Sequence, residues 1–270
     1  LKKLDIYVEE LYCDVDSSFP NHHPDPTVDS NLNDIILKIK KGNFDLGMAF
    51  DGDADRIVVI DENGEIIRSD NLMCLFLPEI ITSTNKKVIF DVKCSESLER
   101  MIAKYGGEPL MWKTGHSLIK DKMKTENAKF AGEMSGHIFF ADDYYGYDDA
   151  LYVGLRLLQI LSNTNNTLSK LTNEIPKYYS TPEIRIDCKN DGEKFNITKK
   201  AVQYFTNNYD CITIDGVRIK FENGWGLVRS SNTQPVIVCR FESTTQNDLI
   251  KMKDMVLTKL GEFGEINYNE

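Results

Sequence analysis

The chain has 270 residues, 41% of them hydrophobic and 27% charged, a composition typical of a globular protein long enough for more than one domain. The net charge of −10 and the isoelectric point near 5.0 argue against a nucleic-acid partner. No segment approaches the roughly 18 apolar residues that cross a bilayer, so no membrane partner is expected.

Six cysteines are scattered along the chain without a CxxC pair, which favours neither a disulfide framework nor a zinc site. Most of them lie in apolar runs, where a free thiol acts as a small hydrophobic group, so the expected location is the reducing cytoplasm. The first residue is Leu1 rather than Met, and the run LDIYVEELY predicts a strand already under way. We therefore expect the sequence to begin inside a longer protein, and the absence of a leader excludes nothing.

Residues 1–65 combine short apolar runs with one amphipathic segment. The segment NLNDIILKIKKGN predicts a helix that stops at Gly42, because its apolar residues recur three and four positions apart. The runs LGMAF and IVVI predict buried strands on either side of DGDADR, and DENGE closes a hairpin.

Residues 66–177 alternate predicted strands and helices, which favours a mixed or parallel sheet covered by helices. Ser95 is the expected N-cap of the helix SESLERMIAK, and Gly106 lies beyond its end. Asp148 or Asp149 should cap the helix DDALYVGLRLLQILS.

Residues 178–270 have a different pattern, in which extended runs are joined by tight DG and NG turns and accompanied by helices at about 194–207 and 245–260. This pattern predicts an α+β domain with an antiparallel sheet, after a linker at Pro176–Pro182. The predicted fold class is therefore α/β. Mixed-sheet β/α domains occupy 1–65, as a partial domain, and 66–177, and the α+β domain follows them.

The stretch DGDADR places carboxylates at Asp51, Asp53 and Asp55, with Arg56 directly behind them. Three such charges repel one another unless a cation lies among them, and their oxygens suit Mg²⁺ or Ca²⁺. An EF-hand is unsuitable, because its sixth loop position needs glycine and its flanks should be helices. A solvated acidic turn is the plain alternative. A Mg²⁺ ion with room for a phosphate oxygen, and Arg56 beside the same group, would instead form a phosphoryl-transfer site.

Two further clusters interrupt apolar runs. In DVKCS, Lys93 follows a strand and precedes a helix, where α/β sheets often place ligand residues, although taken alone a structural lysine is the commoner case. In KTGHS, His116 starts a helix beside Gly115, a position in which histidine more often packs or caps.

The loops GEMSGH and RSSNTQP carry the remaining candidates. In GEMSGH, glycines allow close backbone approach to a ligand, and Glu133, Ser135 and His137 would face one way if the loop is extended. A carboxylate and a hydroxyl suit sugar hydroxyls, and His137 is a candidate general acid/base. RSSNTQP offers several donors to a phosphate dianion, with an ordinary polar turn as the alternative. Those donors are Arg229, Ser231, Asn232 and Thr233.

In this order, DGDADR, DVKCS, KTGHS, GEMSGH and GWGLVRSSNTQP resemble the α-D-phosphohexomutase superfamily, especially its bacterial phosphomannomutase/phosphoglucomutase group. The residue sequences NHHPDP and AGEMSGHIFF are specific to that group, and the resemblance covers essentially the whole chain. It implies a four-domain enzyme that interconverts hexose 1-phosphates and 6-phosphates of mannose and/or glucose. It also implies a phosphoserine, a hexose 1,6-bisphosphate intermediate, Mg²⁺ as cofactor and glucose 1,6-bisphosphate as activator.

The same resemblance implies a role for each candidate. The Mg²⁺ ligands would be Asp51, Asp53 and Asp55, in the partial second domain. The groups around the transferring phosphoryl and the reacting hydroxyl would be Arg56, Lys93, His116 and His137, the last as general acid/base. Sugar hydroxyls would be bound by Glu133 and Ser135 of the third domain. The non-reacting phosphate would be held, in the fourth domain, by Arg229, Ser231, Asn232 and Thr233.

Two features depart from the family. Ala54 stands where the family often has glycine, which is tolerated if φ of this residue is negative. The first domain and its phosphoserine loop do not match any segment, so we expect these 270 residues to be inactive alone.

Two other functions stay open from the residues. One is a Mg²⁺-dependent phosphatase that uses an aspartate of DGDADR as nucleophile, and the other is a sugar-phosphate-binding fragment or pseudoenzyme. Glucosamine and N-acetylglucosamine mutases carry different sugar loops and are less suitable. The sequence does not separate glucose from mannose and gives no indication of oligomeric state.

Overall fold

The computed structural model describes residues 6–266, in which thirteen strands and eight α-helices form three sheets with packed helices. The strands are β1 (Leu46–Phe50), β2 (Ile57–Asp61), β3 (Ile66–Ile67), β4 (Lys87–Asp91), β5 (Glu108–Trp112), β6 (Phe130–Gly132), β7 (Ile138–Phe140), β8 (Tyr179–Ser180), β9 (Ile184–Asp187), β10 (Cys211–Ile212), β11 (Val217–Phe221), β12 (Gly224–Ser230) and β13 (Val236–Ser243). The helices are α1 (Asn33–Lys41), α2 (Ser69–Ile80), α3 (Glu96–Lys104), α4 (His116–Glu126), α5 (Ala150–Ser162), α6 (Leu168–Thr172), α7 (Asp191–Asn208) and α8 (Gln246–Gly261).

The first sheet has the order β1-β2-β3 and is antiparallel. Phe50 pairs with Ile57, so the whole of DGDADR forms the connection between the two paired strands. The strand predicted in LDIYVEELY is wrong over residues 6–10, which are irregular, and its start lies outside the described residues. An extended run needs a neighbouring strand for its backbone hydrogen bonds, and none of the described strands pairs with residues 6–10.

The second sheet is mixed, as predicted. Its order is β5-β4-β6-β7, with β4 parallel to β5 and β6, and β7 antiparallel to β6. The carboxyl ends of three parallel strands therefore meet at one edge, and the loops of Lys93, His116 and Glu133 follow them. The predicted caps are confirmed: Ser95 Oγ accepts from Ser97 N at 3.1 Å, and Asp149 rather than Asp148 caps α5.

The third sheet is antiparallel, as predicted, with the order β10-β11-β12-β13 and with β8 and β9 both paired to β13. Strand alternation gives it two different faces. The apolar face packs against α7 and α8, through residues such as Val228, Cys239 and Phe241. The opposite face carries buried side chains that are mostly charged, namely Arg218, Arg229, Arg240 and Glu242, together with Trp225 and Leu227.

The cysteines are free thiols, in agreement with their spacing. Burial raises the pKa of Cys74, Cys94 and Cys239, so these thiols stay protonated and inert. Within residues 6–266, none of the helices combines the length and the apolar character needed to cross a bilayer.

Candidate active site

Asp51 shapes the turn that joins β1 to β2. It is buried, and its Oδ1 accepts hydrogen bonds from the backbone nitrogens of Asp55 (3.1 Å) and Arg56 (3.0 Å). Its Oδ2 accepts a hydrogen bond from Arg56 Nε at 2.6 Å. Burial acts to raise the pKa of Asp51, but the hydrogen bonds from Arg56 and Asp55 outweigh it and hold the pKa below its ordinary value. Asp51 is therefore an anion around which the turn folds.

The three aspartates of this turn face one another. One oxygen from each of Asp51, Asp53 and Asp55 lies within 4.8 Å of the other two. Burial, a hydrogen bond with Asp51 and the Asp51 and Asp53 charges raise the pKa of Asp55 to about 6, against the opposing effect of His137. A divalent cation would relieve this repulsion, and three carboxylate oxygens are the donors that Mg²⁺ prefers. The residues present therefore fit the predicted metal.

The backbone at Ala54 differs from the expectation that its φ is negative. Ala54 has φ +58°, in the left-handed region, where a Cβ is strained. Two hydrogen bonds keep it there, because its N donates to Asp51 O (3.2 Å) and its O accepts from Ala150 N (3.0 Å). The methyl group is thus tolerated at an energetic cost, which explains why glycine suits this position better.

Replacing Ala54 by glycine should raise the free energy of unfolding by about 1 kcal/mol, because the relief of left-handed strain exceeds the added chain entropy. Chemical denaturation of the two proteins would measure the difference. Ala49→Gly, in the extended backbone of β1, is the matched control and should lower the free energy of unfolding instead. A loss of stability in Ala54→Gly as large as in the control would contradict the prediction.

Two predicted histidines stack on each other beside the metal loop. His116 begins α4 and His137 precedes β7, and their ring centroids are 5.3 Å apart at an interplanar angle of 18°. His137 is mostly buried, whereas the His116 side chain is 53% exposed. His137 Nδ1 also lies 3.6 Å from Asp55 Oδ2, which connects this pair to the aspartate turn.

Asp148 is a site residue that sequence reasoning missed. Its Oδ2 lies 3.0 Å from His137 Nδ1 and 3.3 Å from His116 Nδ1, and its Oδ1 accepts from Lys120 Nζ at 2.9 Å. Burial acts to raise the pKa of Asp148, but His137 and Lys120 hold it far below its ordinary value. Burial acts to lower the pKa of His137, and the Asp148, Asp55 and Glu133 carboxylates raise it overall. The available signal was the pair of adjacent aspartates before a helix, of which only one could cap it.

Lys93 and Glu133 are both buried at the carboxyl edge of the mixed sheet. Lys93 Nζ donates to Glu183 Oε1 at 2.8 Å and lies 3.9 Å from Asp91 Oδ2. Glu133 accepts a hydrogen bond from the backbone N of Gly115, directly before His116. Burial and the Asp91 charge raise the pKa of Glu133 to about 7, although the Gly115 N–H, His137 and Lys93 act against the rise.

The loop GEMSGH is a tight turn rather than an extended segment. Glu133 N donates to His137 O (2.8 Å), and Gly136 N donates to Glu133 O (3.1 Å). Glu133 and His137 therefore flank the turn, and Ser135 lies at its tip, half-buried. Gly136 has φ +110°, and a Cβ there would lie 3.1 Å from Ile57 O. Only glycine lets this turn pack against the start of β2, beside the aspartate turn.

The raised pKa of Glu133 should make stability depend on pH. Since the pKa is about 7 in the folded chain and 4.5 ordinarily, the folded chain binds more protons between these values, and the free energy of unfolding falls as pH rises. Between pH 6 and 8, wild type should lose about 1 kcal/mol relative to Glu133→Gln. Denaturant titrations at both pH values would measure this, with exposed Glu108→Gln as control. Parallel pH curves for wild type and Glu133→Gln would refute it.

The phosphate loop, residues 229–235, connects β12 to β13. Arg229 is buried, and its Nε donates to Asp215 Oδ2 at 2.9 Å. Its buried Nη2 has no hydrogen-bond partner among the described residues, which leaves a charged donor available to an anion. Asn232 Nδ2 donates to Thr114 O at 3.0 Å, and Thr114 N donates to Asp215 Oδ2 at 3.1 Å.

Lys194 of α7 supports this loop from beneath and was also missed. It is buried, and its Nζ donates to Ser231 O and Gln234 O, both at 2.9 Å, and pairs with Asp191 at 2.7 Å. These contacts fix the loop backbone at two carbonyl groups and place a positive charge against it. No sequence pattern marked Lys194, because it lies in an ordinary polar helix and its partners follow some 40 residues later.

Contacts thus join predicted residues of different loops into one candidate site. His137 links Asp55 to His116, Gly115 links His116 to Glu133, and Thr114 links that loop to Asn232. Ser135 and Thr233 lie on two of these loops, and the contacts named above do not involve their side chains.

Comparison with known proteins identifies the family. Three family models match in succession: the phosphoglucomutase/phosphomannomutase alpha/beta/alpha domain II over residues 1–64, alpha/beta/alpha domain III over 68–179, and the C-terminal domain over 183–259. The chain belongs to the phosphoglucomutase/phosphomannomutase family. The aspartate turn of this family member lies in the first matched range, Lys93 and both histidines in the second, and the phosphate loop in the third.

Individual relatives agree with the family assignment. A phosphomannomutase/phosphoglucomutase from Pseudomonas putida is 47% identical over 96% of this chain and 56% of its own length. A phosphoglucomutase from Neisseria meningitidis is 47% identical over 88% of this chain and 52% of its own. The crystal structure of a family protein from Burkholderia thailandensis has 42% identity and a TM-score of 0.89, over 98% of this chain and 57% of that one. This phosphoglucomutase/phosphomannomutase chain therefore spans about half the length of the curated relatives it matches.

Proposed function

We propose that this chain is the part of a phosphohexomutase that binds metal, sugar and phosphate. The enzyme would interconvert hexose 1-phosphate and hexose 6-phosphate, of mannose and/or glucose, through a phosphoserine and a hexose 1,6-bisphosphate. The observation that carries this proposal is a set of direct contacts that joins a carboxylate triad, a histidine pair and a loop with a free arginine donor. Free thiols are compatible with an enzyme of the reducing cytoplasm.

The metal loop would serve the transferring phosphoryl group. Asp51, Asp53 and Asp55 would hold Mg²⁺, which when bound supplies positive charge to the phosphoryl oxygens. Arg56 would add a second positive charge, and Asp51 orients its guanidinium through the 2.6 Å hydrogen bond.

His137 would exchange the proton of the sugar hydroxyl. Its Nδ1 faces Asp148 and Asp55, so that nitrogen carries a proton and Nε2 remains to accept one from the attacking hydroxyl. Lys93 and His116 would complete the charge environment of this hydroxyl. Glu133 and Ser135 would bind hydroxyls that glucose and mannose share.

The phosphate loop would hold the phosphate that does not react, in both orientations of the substrate. Arg229 offers its free Nη2, and Lys194 holds the loop backbone through the carbonyl oxygens of Ser231 and Gln234. The donors we assign to this phosphate are Arg229, Ser231, Asn232 and Thr233.

The phosphoserine would come from the part of the mutase that lies beyond the 56% of relatives covered by this chain. We therefore expect the 270 residues alone to bind sugar phosphates without turnover, as a binding fragment does. A phosphatase that uses an aspartate of DGDADR as nucleophile has less support, because it explains neither the loop GEMSGH nor the phosphate loop with the unpaired Nη2 of Arg229.

The decisive test is a mutase assay on the full-length protein with Mg²⁺ and glucose 1,6-bisphosphate. Glucose 1-phosphate and mannose 1-phosphate are assayed side by side, with the 270-residue chain and a Mg²⁺-free sample as controls. Comparable turnover of both sugar phosphates supports a dual-specificity mutase. Turnover of only one of them supports a mutase specific for that sugar phosphate. Release of inorganic phosphate without isomerisation would overturn the proposal in favour of a phosphatase.

A further inference from the structure

The loop between β4 and α3, which carries Lys93, is held by arginines of the C-terminal sheet. Arg218 Nη1 donates to the carbonyl oxygens of Val92 (2.7 Å) and Cys94 (2.9 Å). Arg240 donates to the carbonyl of Lys93, between them. Three consecutive carbonyls of this loop therefore bind two guanidinium groups from distant strands.

These arginines are built into the protein interior. Arg218 is 4% exposed and Arg240 is 5% exposed, and the guanidinium of Arg218 lies 3.6 Å from the ring centroid of Trp225. Glu242 Oε1 accepts from Trp225 Nε1 (2.8 Å) and from the backbone N of Glu96 (2.9 Å), at the start of α3. Burial lowers the pKa of Arg218 to about 10, against the raising effect of Glu242, so its guanidinium stays charged at neutral pH.

The C-terminal part of the chain also holds the ammonium group of Lys93. Glu183, directly before β9, accepts a hydrogen bond from Lys93 Nζ at 2.8 Å. Burial acts to lower the pKa of Lys93, but Asp91 and Glu183 outweigh it and raise the pKa. Lys93 is therefore fixed at its backbone and at its side-chain end by the same domain.

The sheet face that contacts the Lys93 loop also carries Arg229, the arginine that we assign to phosphate binding. Arg218, Leu227 and Arg240 lie opposite one another on three adjacent strands. Arg229 follows Leu227 by two positions on β12, so it lies on the same face. The spacing of these strands thus sets the distance between the Lys93 loop and the phosphate loop.

We propose that Arg218 and Arg240 are positioning residues that hold the Lys93 loop at a fixed distance from the phosphate loop. The C-terminal domain then determines where the Lys93 ammonium meets the substrate, besides binding the non-reacting phosphate. This inference rests on the proposed function, in which Lys93 lies beside the reacting hydroxyl.

The test is a double-mutant cycle in the full-length protein, with kcat and KM for glucose 1-phosphate measured for Arg218→Met, Lys93→Met and the double variant. Misplacing a catalytic group can cost about 100-fold in rate, so Arg218→Met should lower kcat on the order of 100-fold, with KM within about threefold. Because Arg218 acts through Lys93, the double variant should be within about threefold of Lys93→Met.

Arg156→Met is the matched control, since Arg156 is a mostly buried arginine of α5 without a contact to the Lys93 loop. The fold changes in kcat of Arg156→Met and Lys93→Met should multiply in the corresponding double variant. The inference would be overturned if the kcat reductions of Arg218→Met and Lys93→Met multiplied in the double variant. It would also be overturned if Arg218→Met had the kcat of wild type. If Arg218→Met does not fold, Arg218→Lys keeps the charge and loses one of two carbonyl contacts, and the same cycle applies. A wild-type protein without turnover would instead refute the proposed function, before any variant is compared.

Discussion

Under the proposed function, replacing His137 by asparagine should lower kcat of the full-length protein by about 10²–10⁴-fold, the usual contribution of a positioned general acid/base. Asparagine keeps a donor of similar size near Asp148 but has no nitrogen that can accept the hydroxyl proton at neutral pH. KM should change little, because the proposed function assigns substrate binding mainly to the phosphate loop rather than to His137. Steady-state kinetics with glucose 1-phosphate would measure both quantities.

Two further variants distinguish the role of His137 from the roles of the residues that contact it. Asp148→Asn removes the counter-charge but keeps the imidazole, and should lower kcat by roughly tenfold, since one neutral hydrogen bond replaces an ion pair. His116→Asn tests the exposed member of the stacked pair. A His137→Asn protein with more than about a tenth of wild-type kcat, alongside a larger loss in His116→Asn, would transfer the acid/base role to His116.

Replacing Asp53 by asparagine should weaken Mg²⁺ binding on the order of 100-fold, because one of three carboxylate charges is lost from the cation site. Asp53 is exposed, so the fold of the turn should persist. Isothermal titration of Mg²⁺ into the protein would measure the affinity, and the Mg²⁺ concentration for half-maximal turnover should rise in parallel.

Asp51→Asn should have a second effect that Asp53→Asn lacks. Asp51 accepts three hydrogen bonds within the turn, so its loss of charge should also lower the free energy of unfolding by about 1–3 kcal/mol. Asp45→Asn, an exposed acid before β1, is the control and should alter neither property. Equal Mg²⁺ affinity in Asp53→Asn and Asp45→Asn would show that the turn is only a solvated acidic loop.

Local signals in the sequence predicted much of the fold. Apolar spacing and capping residues placed α1, α3 and α5, and the change from β/α alternation to hairpins separated the mixed sheet from the antiparallel one. One wrong prediction, the strand in LDIYVEELY, came from a run whose apolar pattern suits a strand but which lacks a pairing partner among the described residues.

The candidate site shows the same difference between local sequence signals and tertiary contacts. Motifs marked the side chains that the proposed function assigns to the ligand, since those residues interrupt apolar runs, and the structure brings several of them into contact. The residues behind them, Asp148, Lys194 and Arg218, were not predicted, because each acts on a loop that tertiary folding brings to it. The sign of φ at Ala54 was also unpredictable, since the turn and the backbone of α5 impose it together.

The backbone hydrogen bonds of Thr114 couple the phosphate loop to the loop before His116. Its N–H and C=O bind Asp215 and Asn232, and Asp215 also holds Arg229, so the phosphate loop and the loop before His116 share one set of hydrogen bonds. A phosphate that draws Arg229 or Asn232 towards itself must therefore change the free energy of the histidine loop. Linkage is reciprocal, so a sugar ring bound beside His116 should alter phosphate affinity by the same factor. The binding of the two ends of one substrate would then be coupled, so the affinity for the sugar end would depend on whether the phosphate is bound.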